Sequence, residues 1–164
     1  MFANPADDPS DIFMWQRVEA WLTTSGQPSE GELPALQALG VSHVINLAPH
    51  SNDSALPDEP GSVAALGMAY IHIPVDFAAP TEADYARFRE VMHALEGQTV
   101  HVHCAANLRV SAFVYRYRRD ELMLDEQEAR AAMERIWRPG GKWAAFVGSD
   151  GDSGQSHRYA GRDY

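Results

Sequence analysis

The segment VHVHCAANLRVSAF, residues 100–113, holds residue types at a spacing suited to nucleophilic chemistry on an anion. An apolar strand pattern ends at Cys104, a tight turn follows, and Val110, Phe113, Val114 and Tyr117 then recur at helical spacing. A strand, a turn and a helix start in this order aim backbone N–H groups into one concavity, which is an anion cradle. Ala105, Ala106, Asn107, Leu108, Val110 and Ser111 would line it. The same field favours the thiolate form of a cysteine at its base. Arg109 stands at the rim, where its planar fork can clamp two oxygens of a tetrahedral anion. Ser111 is placed to donate a hydrogen bond to the thiolate. Asn107, in the middle of the turn, is expected to take a positive φ, which Asn tolerates best after Gly. Cys104 is the single cysteine, so an intrachain disulfide is excluded.

These residues need a scaffold, and the sequence outlines one. Residues 19–25 read as a first strand. Ser29 and Glu32 form a capping-box pattern that opens a helix ending near Gly40. VSHVINL, residues 41–47, reads as a buried strand, followed by a polar loop to Pro60 and a short helix to about Leu66. MAYIHIPV, residues 68–75, is the next strand. Thr81 caps a helix to about Leu95, with Tyr85, Phe88, Met92 and Leu95 on one face, and Gly97 stops it. TVHVHC, residues 99–104, is a strand, and a last helix spans about 125–137, closed by Pro139-Gly140-Gly141. Strands alternating with helices predict an α/β domain with a central, mostly parallel sheet flanked by helices. Such sheets place ligands at the carboxyl ends of their strands, where Cys104 lies. The folded domain is expected over 11–147, with 148–164 a disordered polar tail.

The turn resembles the signature loop of the protein tyrosine and dual-specificity phosphatase superfamily, His-Cys-x5-Arg-Ser/Thr. It is most similar to a bacterial branch of small dual-specificity-like phosphatases. Residues 23–47, residues 67–88 and residues 134–147 resemble, in turn, that branch's opening strand–helix–strand, the strand and loop that carry its general acid, and its closing segment. The resemblance implies a cysteine-dependent phosphatase that hydrolyses phosphate monoesters, phosphotyrosine protein among them, through a cysteinyl-phosphate. It implies Asp76 as general acid, with Asp58 and Glu59 in reserve, and His103 as the residue that orients the loop and tunes the thiolate. One feature departs from the pattern: four residues, not five, separate Cys104 from Arg109, and Val110 stands where the superfamily has its Arg. A four-residue interval also occurs in rhodanese-type sulfurtransferase loops. Two alternatives therefore stay open, a rhodanese-like sulfurtransferase with a Cys104 persulfide and a non-catalytic phosphate-binding module.

The bulk properties limit the partners. Of 164 residues 45% are hydrophobic and 22% charged, with a net charge of -10. So acidic a surface should repel nucleic acid and anionic membranes, leaving a phosphorylated protein or small molecule as partner and requiring any anion site to be local. The acidic start MFANPADDPSD has no basic segment followed by an apolar one, so a cytoplasmic location is expected. No cofactor and no metal are expected: His72, His101 and His103 read as core residues with satisfied hydrogen bonds. Trp137 and Trp143 read as packing at a helix end, and Arg116, Arg118 and Arg119 as a solvated face.

Overall fold

The structure, a computed structural model, describes residues 7–148. Strands β1 (Gln16–Glu19), β2 (Leu22–Ser25), β3 (His43–Asn46), β4 (Ala69–His72) and β5 (Val100–His103) form one sheet in the order β1-β2-β5-β3-β4. β1 is antiparallel to β2; all other pairings are parallel. The mostly parallel α/β architecture expected from the alternation is present, with one correction. Residues 19–25 are not one strand: the chain turns at Ala20-Trp21 and pairs β1 back on β2.

The helices are α1 (Leu33–Ala38), α2 (Glu59–Ala65), α3 (Glu82–Ala94), α4 (Leu108–Asp120), α5 (Glu126–Glu134) and α6 (Gly141–Val147). Successive strand residues face opposite sides, so Val44 joins a smaller core with Leu33, Leu36, Val63 and Met68 under α1 and α2, while Ile45 joins the main core under α3 to α6. α4 is central, and every residue from Leu108 to Tyr115 is buried. Phe113 meets Phe146, Phe88 and Tyr85 at ring separations of 4.8, 5.5 and 6.2 Å. Truncating such a ring to Ala costs about 3–5 kcal/mol.

The sequence pattern gave no sign of α6. The preceding helix ends at Glu134, short of the expected Trp137 and before Pro139 is reached, and Gly140 is the N-cap of a new seven-residue helix, too short to show a period. The arginines of α4 are not a solvated face either. Arg118 is buried and paired with Glu19, Arg116 lies 3.9 Å over the Tyr85 ring, and Arg119 donates to the Val147 carbonyl. β1 and α6 cover the end of α4 that its own sequence leaves polar. Among the described residues no helix is long and apolar enough to cross a membrane. The tail expected at 148–164 lies outside the described residues, apart from Gly148.

Candidate active site

The strand ends converge. Ser25, His103, Asn46 and His72 lie in register across β2, β5, β3 and β4, so the loops that follow these strands meet at one edge of the sheet. Cys104 opens the loop after β5 and has no exposed surface.

The turn is held from three sides. Asn107 has the expected left-handed backbone, φ 67°. Its amide does not cap α4; it reaches back to the Met14 carbonyl at 2.8 Å and Thr24 Oγ1 at 3.0 Å. The N–H groups that open α4 are thus left uncapped by their own N-cap side chain, which suits them to an anion. Gly26 forms the second wall. Its N–H donates to the Phe13 carbonyl and the next N–H, of Gln27, to the Ala105 carbonyl. A Cβ at position 26 would stand 2.6 Å from that carbonyl oxygen, so this close backbone approach requires glycine. The third wall is Trp137, whose indole N–H donates to Ser111 Oγ at 2.9 Å. The Ser111 hydroxyl in turn donates to the Leu108 carbonyl, not to Cys104 as expected. Ser111 braces the helix start, because a hydroxyl in the first turn of a helix finds a main-chain acceptor within reach.

Arg109 is 1% exposed. Its Nη1 donates to the Val75 carbonyl at 3.1 Å, its guanidinium lies 5.6 Å from the Phe77 ring centroid, and its Nε and Nη2 have no partner among the described residues. Two adjacent donors of a buried cation left unpaired are costly unless an acceptor arrives. Arg109 and Asp76 line one cleft of about 370 Å³ with Pro49, Ser51, Asn52 and Phe77. Asp76 is exposed, and its Oδ1 accepts from the Ala78 N–H. The residues on both sides of Asp76 are tied down: Val75 by Arg109, and Phe77 by the Trp143 indole, which donates to its carbonyl at 2.8 Å. Trp137 and Trp143 also flank the Phe77 ring at 5.9 and 5.5 Å. They are more than helix-end packing, since both hold the loop that carries Asp76.

The reserve acids are engaged elsewhere. Asp58 caps α2 by accepting from the Gly61 N–H. Glu59 is buried, and its Oε2 lies 2.5 Å from His103 Nε2. Burial pushes the Glu59 carboxyl up, but the hydrogen bond and charge of His103, the Gln27 amide and His50 outweigh it and hold the group below the usual carboxylate range. His101 sits between Thr23 Oγ1 and Ser25 Oγ, both at 2.8 Å, and burial followed by the charge of His103 pushes its pKa well below 6.5. His72 is not beside β5, because β3 intervenes; its Nε2 faces the Ala48 carbonyl at 2.7 Å. No cluster of three or more metal-ligating side chains occurs among the described residues.

A thiol at a strand end, a turn leading into an uncapped helix start and a buried arginine sharing a cleft with an aspartate are the parts of this α/β site. The family model described as "DSP-PTPase phosphatase fused to NAD+ Kinase" matches residues 7–142, and the chain belongs to that family. A DUF442 protein of Shewanella putrefaciens CN-32 is 35% identical, with 84% of this chain and 90% of that one covered and a TM-score of 0.75. The "Beta-lactamase hydrolase-like protein" of Agrobacterium fabrum is 35% identical over 96 residues, which are 57% of this chain but 22% of that protein. The chain thus corresponds to about a fifth of the curated relatives it matches. P. aeruginosa TpbA, whose structure was determined in complex with pTyr, shares the fold at 23% identity and a TM-score of 0.67, with 90% of each chain covered.

Proposed function

We propose that this domain hydrolyses phosphate monoesters through a cysteinyl-phosphate, with Cys104 as nucleophile, Arg109 as clamp and Asp76 as acid and then base. The observation that carries this reading is the buried Arg109 fork, one arm spent on Val75 and two donors unpaired among the described residues, in the cleft that Asp76 lines. Nε and Nη2 take two equatorial oxygens of the phosphoryl group, and the N–H groups at the start of α4 take the charge that develops on it. The Cys104 thiolate forms a bond to phosphorus as the ester P–O bond breaks, and Asp76 protonates the departing oxygen. The same carboxylate then removes a proton from the water that attacks phosphorus and releases the thiolate. Because Cys104 has no exposed surface, attack requires the packing around it to open. A phosphotyrosine side chain or a small phosphorylated molecule is the substrate class, in keeping with the fold relative bound to pTyr.

Sulfur transfer is the second reading, favoured by the four-residue interval between Cys104 and Arg109. It gives no role to Asp76 or to the tie between Arg109 and Val75. The two readings separate in one experiment: phosphate release from an aryl phosphate beside a thiosulfate–cyanide sulfur-transfer assay. Phosphate release that is lost in Cys104→Ser supports the proposal; sulfur transfer without phosphate release overturns it.

A further inference from the structure

Glu59 and His103 are 44 residues apart in the chain and touch, one residue before Cys104. Nothing in the proposed reaction uses Glu59, yet a carboxylate 2% exposed needs a reason to be there. The hydrogen-bond logic of the two neighbouring histidines gives one. His101 faces two hydroxyls. The Ser25 hydroxyl donates to the Gly26 carbonyl, so Ser25 accepts from Nε2–H and Thr23 donates to Nδ1. His101 is therefore satisfied as a neutral ring. His103, two residues on, faces no hydroxyl. Its Nε2 meets the Glu59 carboxylate and its Nδ1 meets the Cys104 carbonyl at 3.2 Å. A carboxylate and a carbonyl can only accept, so both ring nitrogens are satisfied only when both carry a proton.

We infer that Glu59 is a positioning residue for the nucleophile, holding His103 as an imidazolium whose Nδ1–H donates to the Cys104 carbonyl. The inference rests on Cys104 being the nucleophile of the proposed reaction. The pair is neutral as a whole, but it is oriented: the positive end touches the Cys104 carbonyl, and the negative end lies on Glu59 at the start of α2. In a low-dielectric interior such a fixed dipole acts strongly on an adjacent anion. Other groups bear on the pair. His101 lies 6.3 Å from the His103 ring, the Gln27 amide donates to Glu59 Oε1, and His50, His72 and Tyr70 feel the Glu59 charge. None of them offers His103 a second acceptor. Gln is the informative replacement at position 59, since its amide satisfies Nε2 in either protonation state while removing the charge that requires the second proton.

The test is nitrogen-15 NMR of the histidine rings, with His103 assigned by its loss in His103→Asn, combined with the pH dependence of iodoacetate alkylation. Wild-type His103 should show two protonated ring nitrogens at pH 7.5, and Glu59→Gln should convert it to a neutral tautomer. In Glu59→Gln the alkylation profile should move up by about one pH unit, with an approximately tenfold slower reaction at pH 6, the loss expected when a nearby favourable charge is removed. A residue that merely fills space would move neither readout. A neutral wild-type His103 at pH 7.5 overturns the inference without any variant, and so does an unchanged alkylation profile in folded Glu59→Gln. Neither measurement needs turnover, so a protein that shows both shifts but hydrolyses no aryl phosphate keeps this inference and loses the phosphatase reading.

Discussion

The back and the front of the site are built differently. At the back, the side chains of Thr23, Ser25, Glu59, His101 and His103 are all buried and bonded in two sets, His101 to Thr23 and Ser25, and His103 to Glu59. In front, Asp76 is exposed on a loop, and its setting depends on two main-chain carbonyls held by distant side chains, Arg109 and Trp143. The proposed nucleophile is thus flanked by packed polar groups, and the proposed acid is tethered on an exposed loop. Such a contrast suits a site whose rigid part holds the anion while its loop adjusts to the leaving group.

The sharpest way to break this contrast is at Arg109, which lies in the first turn of α4 beside the Cys104 turn and ties down Val75 next to Asp76. Arg109→Lys keeps a charge but loses the fork and the tie to Val75. It should lower kcat/KM for any phosphate ester by a hundredfold or more, measured by phosphate release, and weaken inhibition by vanadate. Retention of near wild-type activity would mean that the four-residue turn clamps its anion without Arg109. Asp76→Asn probes the front alone. It should slow a phosphotyrosine peptide about 10²–10⁴-fold and an activated aryl phosphate much less, because a good leaving group needs no proton. Asp58→Asn should leave both rates alone, since Asp58 is a helix cap.

Gly26→Ala probes the back. The added methyl would meet the Ala105 carbonyl and push the turn off its register, so kcat/KM should fall about tenfold for both kinds of ester. Trp143→Phe is the milder counterpart at the front. It removes the bond to the Phe77 carbonyl and keeps most of the ring packing, so a severalfold loss should appear for the phosphotyrosine peptide and not for the activated ester.

The smallest effect concerns stability. His101 is buried neutral, with its pKa held well below 6.5. A base whose pKa is depressed on folding binds its proton more readily when unfolded, so stability falls as pH drops below about 6.5. The slope from this one group is at most about 1.4 kcal/mol per pH unit. The thermal midpoint should therefore fall between pH 7 and pH 5, and His101→Gln should flatten that fall even if it lowers the midpoint at pH 7. An equally steep fall in the variant would assign the pH dependence to other groups.

Much of this was legible in the chain itself, for local reasons. A strand, a turn and a helix start are encoded within the 14 residues from Val100 to Phe113, and so is the need for a left-handed residue, met by Asn107. The alternation of strands and helices was likewise local, and it was enough to predict a mostly parallel sheet with Cys104 at a carboxyl end. What the sequence could not carry were pairings across the chain. Glu59 looked like a loop acid, because nothing in DEPG tells that its side chain turns inward to a histidine 44 residues on. Ser111 looked like a thiolate donor, although its hydroxyl donates to the Leu108 carbonyl; that it also accepts from an indole 26 residues away could not be read from the chain. Trp143 belonged to a helix too short to show a period, so its hold on the Asp76 loop emerged only when α6 was packed against α4. Short-range geometry is written in residue order, and the protonation of a buried group is decided by neighbours that only the folded chain supplies.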